Sequence, residues 1–181
     1  MKRLMLLLCL LAVLSGCGQK VPVLGDGENL GMLAVPMDVY NNTGFPFTRY
    51  FVLSNSENPD FSVRLDPCVG RYFALSEPVP PGVYVFDTET TYLVPSSRFS
   101  SSTHKGSRRL NPPWKVQVEK ETLLIAGQKY SVMFKKGENH MYWTNTDITH
   151  LDWNERKDYT EKLTQLENAD KWRILGQWEQ Y

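Results

Sequence analysis

Met32-Leu33-Ala34-Val35-Pro36-Met37-Asp38-Val39-Tyr40 sets apolar side chains at every second position, Leu33, Val35, Met37 and Val39, with a more mixed set between them. Successive side chains of a β-strand point to opposite faces, so this spacing predicts a half-buried strand. Similar β-prone runs recur between turn residues at 48–54, 61–65, 71–75, 83–88, 92–94, 114–119, 122–125, 129–135 and 141–144. Many short strands and no early helix predict a mainly β fold, an antiparallel β-sandwich rather than a parallel sheet.

Two segments share a theme. In Pro80-Pro81-Gly82-Val83-Tyr84-Val85-Phe86 and in Ile125-Ala126-Gly127-Gln128-Lys129-Tyr130-Ser131-Val132, a glycine-containing turn leads into a strand bearing Tyr and Val. These segments resemble the turn-plus-strand elements of prealbumin-like or immunoglobulin-like sandwiches, over residues 33–144. The resemblance implies a fold and no activity.

Upstream, residues 19–31 are rich in glycine, contain Pro22 and offer few side chains for a packed face. They read as a tether, able to span about 45 Å when extended. Before them, Lys2 and Arg3 precede an unbroken apolar run from Leu4 to Val13, followed by Leu14-Ser15-Gly16-Cys17. Such a run is too short for a permanent membrane span, which needs roughly 20 residues, and has the layout of a cleavable export signal.

Leu14-Ser15-Gly16-Cys17 resembles the lipobox of bacterial lipoproteins. That resemblance implies cleavage before Cys17, a diacylglyceryl thioether on its sulfur and membrane attachment through the acyl chains. Small residues at 15 and 16 let a peptidase approach the backbone, and only a thiol supplies the nucleophile. Two or three buried chains, at about 0.8 kcal/mol per CH₂, make release very slow. In enterobacterial lipoproteins an aspartate directly after the cysteine retains the protein in the inner membrane; Gly18 stands at that position, so for a Gram-negative source the resemblance implies the outer membrane, facing the periplasm. With Cys9 in the signal and Cys17 modified, Cys68 has no intramolecular disulfide partner and is expected as a small hydrophobe, buried or packed in a turn.

Residues 95–113 interrupt the β pattern with six serines among basic residues, and no acidic residue occurs between Glu89 and Glu119. A basic Ser-rich loop is expected here, with Arg98, Lys105, Arg108 and Arg109 as candidates for contacting an anionic surface or a protein partner. The tail differs again. Asp152 with Glu155 three residues on matches a capping box, and Tyr159, Leu163 and Leu166 follow at helical spacing, predicting a helix over 153–168. The apolar Trp172, Ile174, Leu175 and Trp178 imply that this end docks on the sandwich. The expected division is therefore a signal at 1–16, lipidated cysteine and tether at 17–31, sandwich at 32–146 and C-terminal helix and tail at 147–181.

Twenty basic and twenty acidic residues cancel, so nothing in the overall charge favours nucleic acid. The three histidines, His104, His140 and His150, stand in no catalytic motif, and neither a nucleophile elbow nor a phosphate loop is present. His140, Asp147, His150 and Asp152 have side chains zinc accepts, at spacings that match no metal motif. No cofactor is expected. Tyr142, Trp143 and Trp153, with Trp172 and Trp178 nearby in sequence, are candidates for an aromatic binding surface or for core packing. The expectation is a non-catalytic, lipid-anchored envelope protein that binds an envelope partner. The alternatives are a glycan- or lipid-binding protein and an inhibitor or immunity lipoprotein.

Overall fold

The computed structural model describes residues 19–25, 28–42, 47–55, 57–58, 62–93, 104–136 and 142–179, with the course of the backbone alone at 47–49, 87, 91–93, 104–106, 136 and 142–144. The strands are β1 (Met32–Asn41), β2 (Phe47–Asn55), β3 (Ser62–Leu65), β4 (Phe73–Leu75), β5 (Gly82–Leu93), β6 (His104–Val118), β7 (Thr122–Ile125), β8 (Gln128–Lys136), β9 (Tyr142–His150) and β10 (Arg173–Gly176). The helix α1 (Trp153–Thr164) separates β9 from β10. One sheet has the order β10-β7-β1-β8-β9 with β4 also on β1, and the other has the order β3-β2-β5-β6. The predicted β-sandwich with a C-terminal helix is the architecture found.

β1 is the centre of the first sheet and is more buried than its alternation predicts. Leu33, Val35 and Met37 face the second sheet, while Met32 and Ala34 face the helix, so every residue from Met32 to Met37 is buried. β7 and β8 both run parallel to β1, with Ala34 opposite Ile125 and Met37 opposite Tyr130. Their chain advances five residues while β1 advances three, so β7 and β8 form one long strand interrupted at Ala126–Gly127. Pro36, which has no N–H, lies across from that interruption. Ala34 O accepts from Ala126 N at 2.9 Å, and Met37 N turns to the other edge and donates to Tyr72 O at 2.9 Å. Proline fits where a ladder is broken.

The second sheet is antiparallel throughout, as expected, whereas β1–β7, β1–β8 and β7–β10 are parallel pairs. The physical reason is the crossover: the chain builds the whole second sheet between β1 and β7 before it returns, a connection long enough for parallel pairing. Between the sheets, Phe51 meets Phe86 and Tyr130 edge-to-face at 4.5 and 4.2 Å, and Phe86 meets Trp114 at 5.6 Å. Pairs of this geometry contribute about 1 kcal/mol each beyond the area they bury. Of the two recurring segments, the second places Tyr130 and Val132 together in this core. In the first it is Tyr84 and Phe86 that point inward.

The turn before β5 is set by Gly82, whose φ of +154° suits glycine and whose Cβ, if present, would lie 2.9 Å from Asn55 Nδ2. Tyr84 donates from its hydroxyl to Pro80 O at 2.7 Å, closing the same turn. β5 and β6 then pair along two stretches. Between them lie Asp87 on one strand and Leu110, Asn111, Pro112 and Pro113 on the other. Residues 104–113, expected within a loop, are therefore part of β6; 94–103 lie outside the described residues. Gly106 and Ser107 lower the strand signal locally, and pairing with Thr91 and Thr90 of β5 overrides it. β9 likewise reaches His150, so the sandwich extends beyond residue 146.

A third layer covers the outer face of the first sheet. Tyr159 and Leu163 of α1 pack with Met32, Ala34, Phe73, Leu123 and Ile125. The helix starts as predicted: Asp152 accepts from Glu155 N at 2.9 Å, and the Glu155 carboxylate accepts from Asp152 N at 3.1 Å. It ends at Thr164, short of 168, after which Arg173–Gly176 adds a strand to β7 that the apolar tail did not disclose.

The tether expectation is corrected by the same layer. Val21 is fully buried and donates from its N to Glu167 O at 3.0 Å, Asn168 Nδ2 donates to Val21 O at 3.1 Å, and Trp172 Nε1 donates to Pro22 O at 2.7 Å. One buried valine and three carbonyl or amide groups suffice to hold a glycine-rich segment that shows no periodicity of its own. Cys68 is also corrected in part: it lies in the turn between β3 and β4, with its O accepting from Arg71 N at 3.3 Å, but it is exposed rather than buried.

Candidate functional site

Cys17 lies outside the described residues. Two positions later the chain is already docked, since Gln19 Nε2 donates to Phe73 O at 2.7 Å on β4, and Lys20 pairs with Glu167 at 2.8 Å. Two residues span at most about 7 Å of chain, which is the longest reach from Cys17 to the backbone of Gln19. The corner is open: a cavity of about 640 Å³ is bounded by Gln19 and Lys20 on one side and by Ser62, Arg64 and Arg71 on the other. Arg64 bonds Asp66 at 2.8 Å and sits over the Tyr50 ring at 4.2 Å. Beside it the β3–β4 turn exposes Val69 and Tyr72, and Lys162 of α1 lies 4.2 Å from the centre of the Tyr72 ring. An exposed valine and an exposed tyrosine, the latter beside a lysine, are thus presented next to the segment that leads to Cys17.

The basic residues singled out from sequence do not act as one group. Arg98 lies outside the described residues, and the backbone places Lys105 on β6 opposite Tyr92. Arg108 and Arg109 are adjacent on β6 and so point to opposite faces. Arg108 stands across from Glu89, and its Nη2 lies 3.2 Å from Glu89 Oε2; Arg109 is exposed. Glu89 is only 3% exposed and also accepts from Tyr130 Oη at 2.6 Å and from Thr146 Oγ1 at 3.3 Å. A carboxylate in the sandwich core, answered by a hydroxyl from the other sheet and a guanidinium at the rim, had no sequence signal beyond being the last acid before the basic stretch.

The aromatic residues are likewise separated. Tyr142 and Trp143 are placed on β9 by their backbone, opposite Lys136 and Lys135. Trp153, in the first turn of α1, is 75% exposed. Trp172 is buried in the outer core, and Trp178 lies under Arg156, whose Cζ is 5.4 Å from the ring centre. Of the residues considered for zinc, Asp152 caps α1 and His150 Nε2 lies 3.3 Å from Gln128 Nε2, while His140 lies outside the described residues. Among the described residues no three His, Cys, Asp or Glu side chains gather at one point. No described helix is long and apolar enough to cross a membrane.

No protein-family model, no curated protein and no solved structure matches the chain.

Proposed function

We propose that this chain is a bacterial lipoprotein, held on the outer membrane through lipid on Cys17 and facing the periplasm, whose sandwich is a non-catalytic module that contacts another envelope protein. The supporting observation is the short distance between the lipobox cysteine and the first docked residue. With Gln19 bonded to β4, a lipid on Cys17 keeps this end of the domain near the bilayer and narrows the orientations open to it, with the turn carrying Val69, Arg71 and Tyr72 on that end. A module used for contact gains from being presented in fewer orientations, since ordering it beforehand removes part of the entropic cost of association. The exposed Val69 and Tyr72 are the side chains best suited to such a contact, with the exposed Arg109 on β6 as a further basic residue that steers encounter.

The test is incorporation of a palmitate analogue by the intact chain and by Cys17→Ser, together with retention on membranes through a high-salt wash. Labelling and retention of the parent, both lost in Cys17→Ser, are expected. A Cys17→Ser protein that stays on membranes in high salt would sink the anchor. A photo-reactive residue at position 69 or 72 that captures no protein in intact cells would sink the partner contact.

A further inference from the structure

A second cavity lies at the opposite break in the first sheet, where the β7–β8 strand is interrupted. About 440 Å³ in volume, it is walled by Pro113, Trp114 and Lys115 of β6, Gln128 of β8, Arg156 of α1 and Trp178. Its floor is rigidly made. Gln177 accepts from Gly127 N at 2.8 Å and donates to Lys115 O at 2.9 Å, tying the tail to the interruption on one side and to the second sheet on the other. Trp178 is seated directly on Gly176, where a Cβ would fall 2.1 Å from the indole Cε2. Only glycine lets the ring lie there.

The chemistry of the walls is one-sided. No acidic residue lines the cavity, while Lys115 and Arg156 both do, and neither has a carboxylate partner among the described residues. Arg156 spends Nε on Leu151 O at 3.0 Å, which fixes the guanidinium and leaves its two terminal nitrogens for a bidentate contact. Gln128 and His150 add side chains able to donate. Trp114 adds an indole to the wall. It is 8% exposed, and its Nε1–H is the one buried side-chain donor among the described residues that meets no acceptor. An unanswered buried donor costs on the order of 1 to 3 kcal/mol and is rare in folded proteins.

We infer that this cavity binds the oxyanion, carboxylate or phosphate, of a small polar ligand, with Arg156 and Lys115 pairing its charge and the indoles of Trp114 and Trp178 walling its body. The volume is within the range of small-molecule sites and fits a molecule of sugar size. A neutral ligand would leave two cations without a counter-charge; a cation would be repelled. The inference is independent of the anchor at Cys17, because the cavity is built from β6, β8, α1 and the tail.

The experiment titrates the purified full chain with glucuronate, with inorganic phosphate and with glucose as the neutral control, followed by calorimetry and tryptophan emission. Saturable binding of glucuronate or phosphate, weakened by added salt and absent for glucose, is expected, and the anion preferred identifies which oxyanion source the site serves. Lys115→Gln, an exposed change, and Arg156→Gln are each expected to raise Kd at least tenfold with an unchanged circular dichroism spectrum, whereas Trp153→Phe leaves Kd as it was. Absence of saturable binding by either anion, equal binding of glucose, or a Lys115→Gln protein that binds as tightly as the parent would overturn the assignment.

Discussion

Trp172 and Pro22 are 150 residues apart in the chain and are joined by a hydrogen bond of 2.7 Å from the indole nitrogen to the prolyl carbonyl. With it, the segment leading out of the domain becomes part of the outer core. Trp172→Phe keeps an aromatic ring but removes the donor and part of the indole's buried volume. A loss of at least about 1 kcal/mol is expected, the bond's usual net value with the cost of the space left added, together with faster exchange of the Val21 amide. Lys20→Gln removes an exposed ion pair and is expected to leave stability within about 0.5 kcal/mol of the parent. Hydrogen exchange resolved to residues 19–25 separates the two effects.

Glu89 is the test of the inter-sheet polar contact. Glu89→Ala removes the acceptor of Tyr130 Oη inside the core and the partner of Arg108 at its rim, and a loss of about 3 kcal/mol is expected in denaturant unfolding. Arg108→Gln is expected to cost less than half as much, because its guanidinium is largely in water while the carboxylate it meets is not. A double-mutant cycle between Glu89→Gln and Tyr130→Phe is expected to show coupling above about 0.5 kcal/mol.

The sandwich and its helix were legible because they rest on local signals: alternation in Leu33, Val35, Met37 and Val39, turn glycines before Tyr84 and Tyr130, and a capping box at Asp152. What was not legible rests on pairing between distant residues. β6 is a strand through Ser107 and Arg108 because β5 lies beside it, and β10 exists because β7 offers an edge. The parallel direction of β7 on β1 follows from where the chain returns after the second sheet. Val21 reads as tether until Glu167 and Asn168 are placed against it. The candidate sites were least legible of all, since the oxyanion cavity draws Lys115, Gln128, Arg156 and Trp178 from four elements with no common motif.

The capping box ties α1 to pH. The contact with Lys129, and then the bond from Asp152 N, hold the Glu155 carboxyl below the ordinary glutamate range. A depressed folded value means that the stabilisation is complete above the ordinary value of about 4.3 and is lost as pH falls through the folded one. Asp152→Ala is expected to cost about 1 kcal/mol at neutral pH. Glu155→Gln is expected to lower stability above pH 6 and to flatten the acid limb, converging on the parent towards pH 3, measured by thermal unfolding between pH 3 and pH 7.

Tyr159 governs the alkaline limb. Burial in the outer core, with the carboxylates of Asp38, Glu155 and Asp158 nearby, pushes its hydroxyl up to about 12. The neutral form is therefore favoured by the fold. Its contribution is complete below the ordinary tyrosine value of about 10 and is lost as pH rises towards the folded value, because the unfolded chain releases the proton first. Tyrosinate absorbance is expected to show one ring that ionises only as the helix detaches. Tyr159→Phe keeps the edge-to-face contact with Phe73, whose ring centre is 5.6 Å away, and has no proton to lose. Its stability should match the parent at pH 8 and exceed it at pH 11. Equal losses for the two proteins between those values would show that Tyr159 ionises as freely in the folded chain as in the unfolded one.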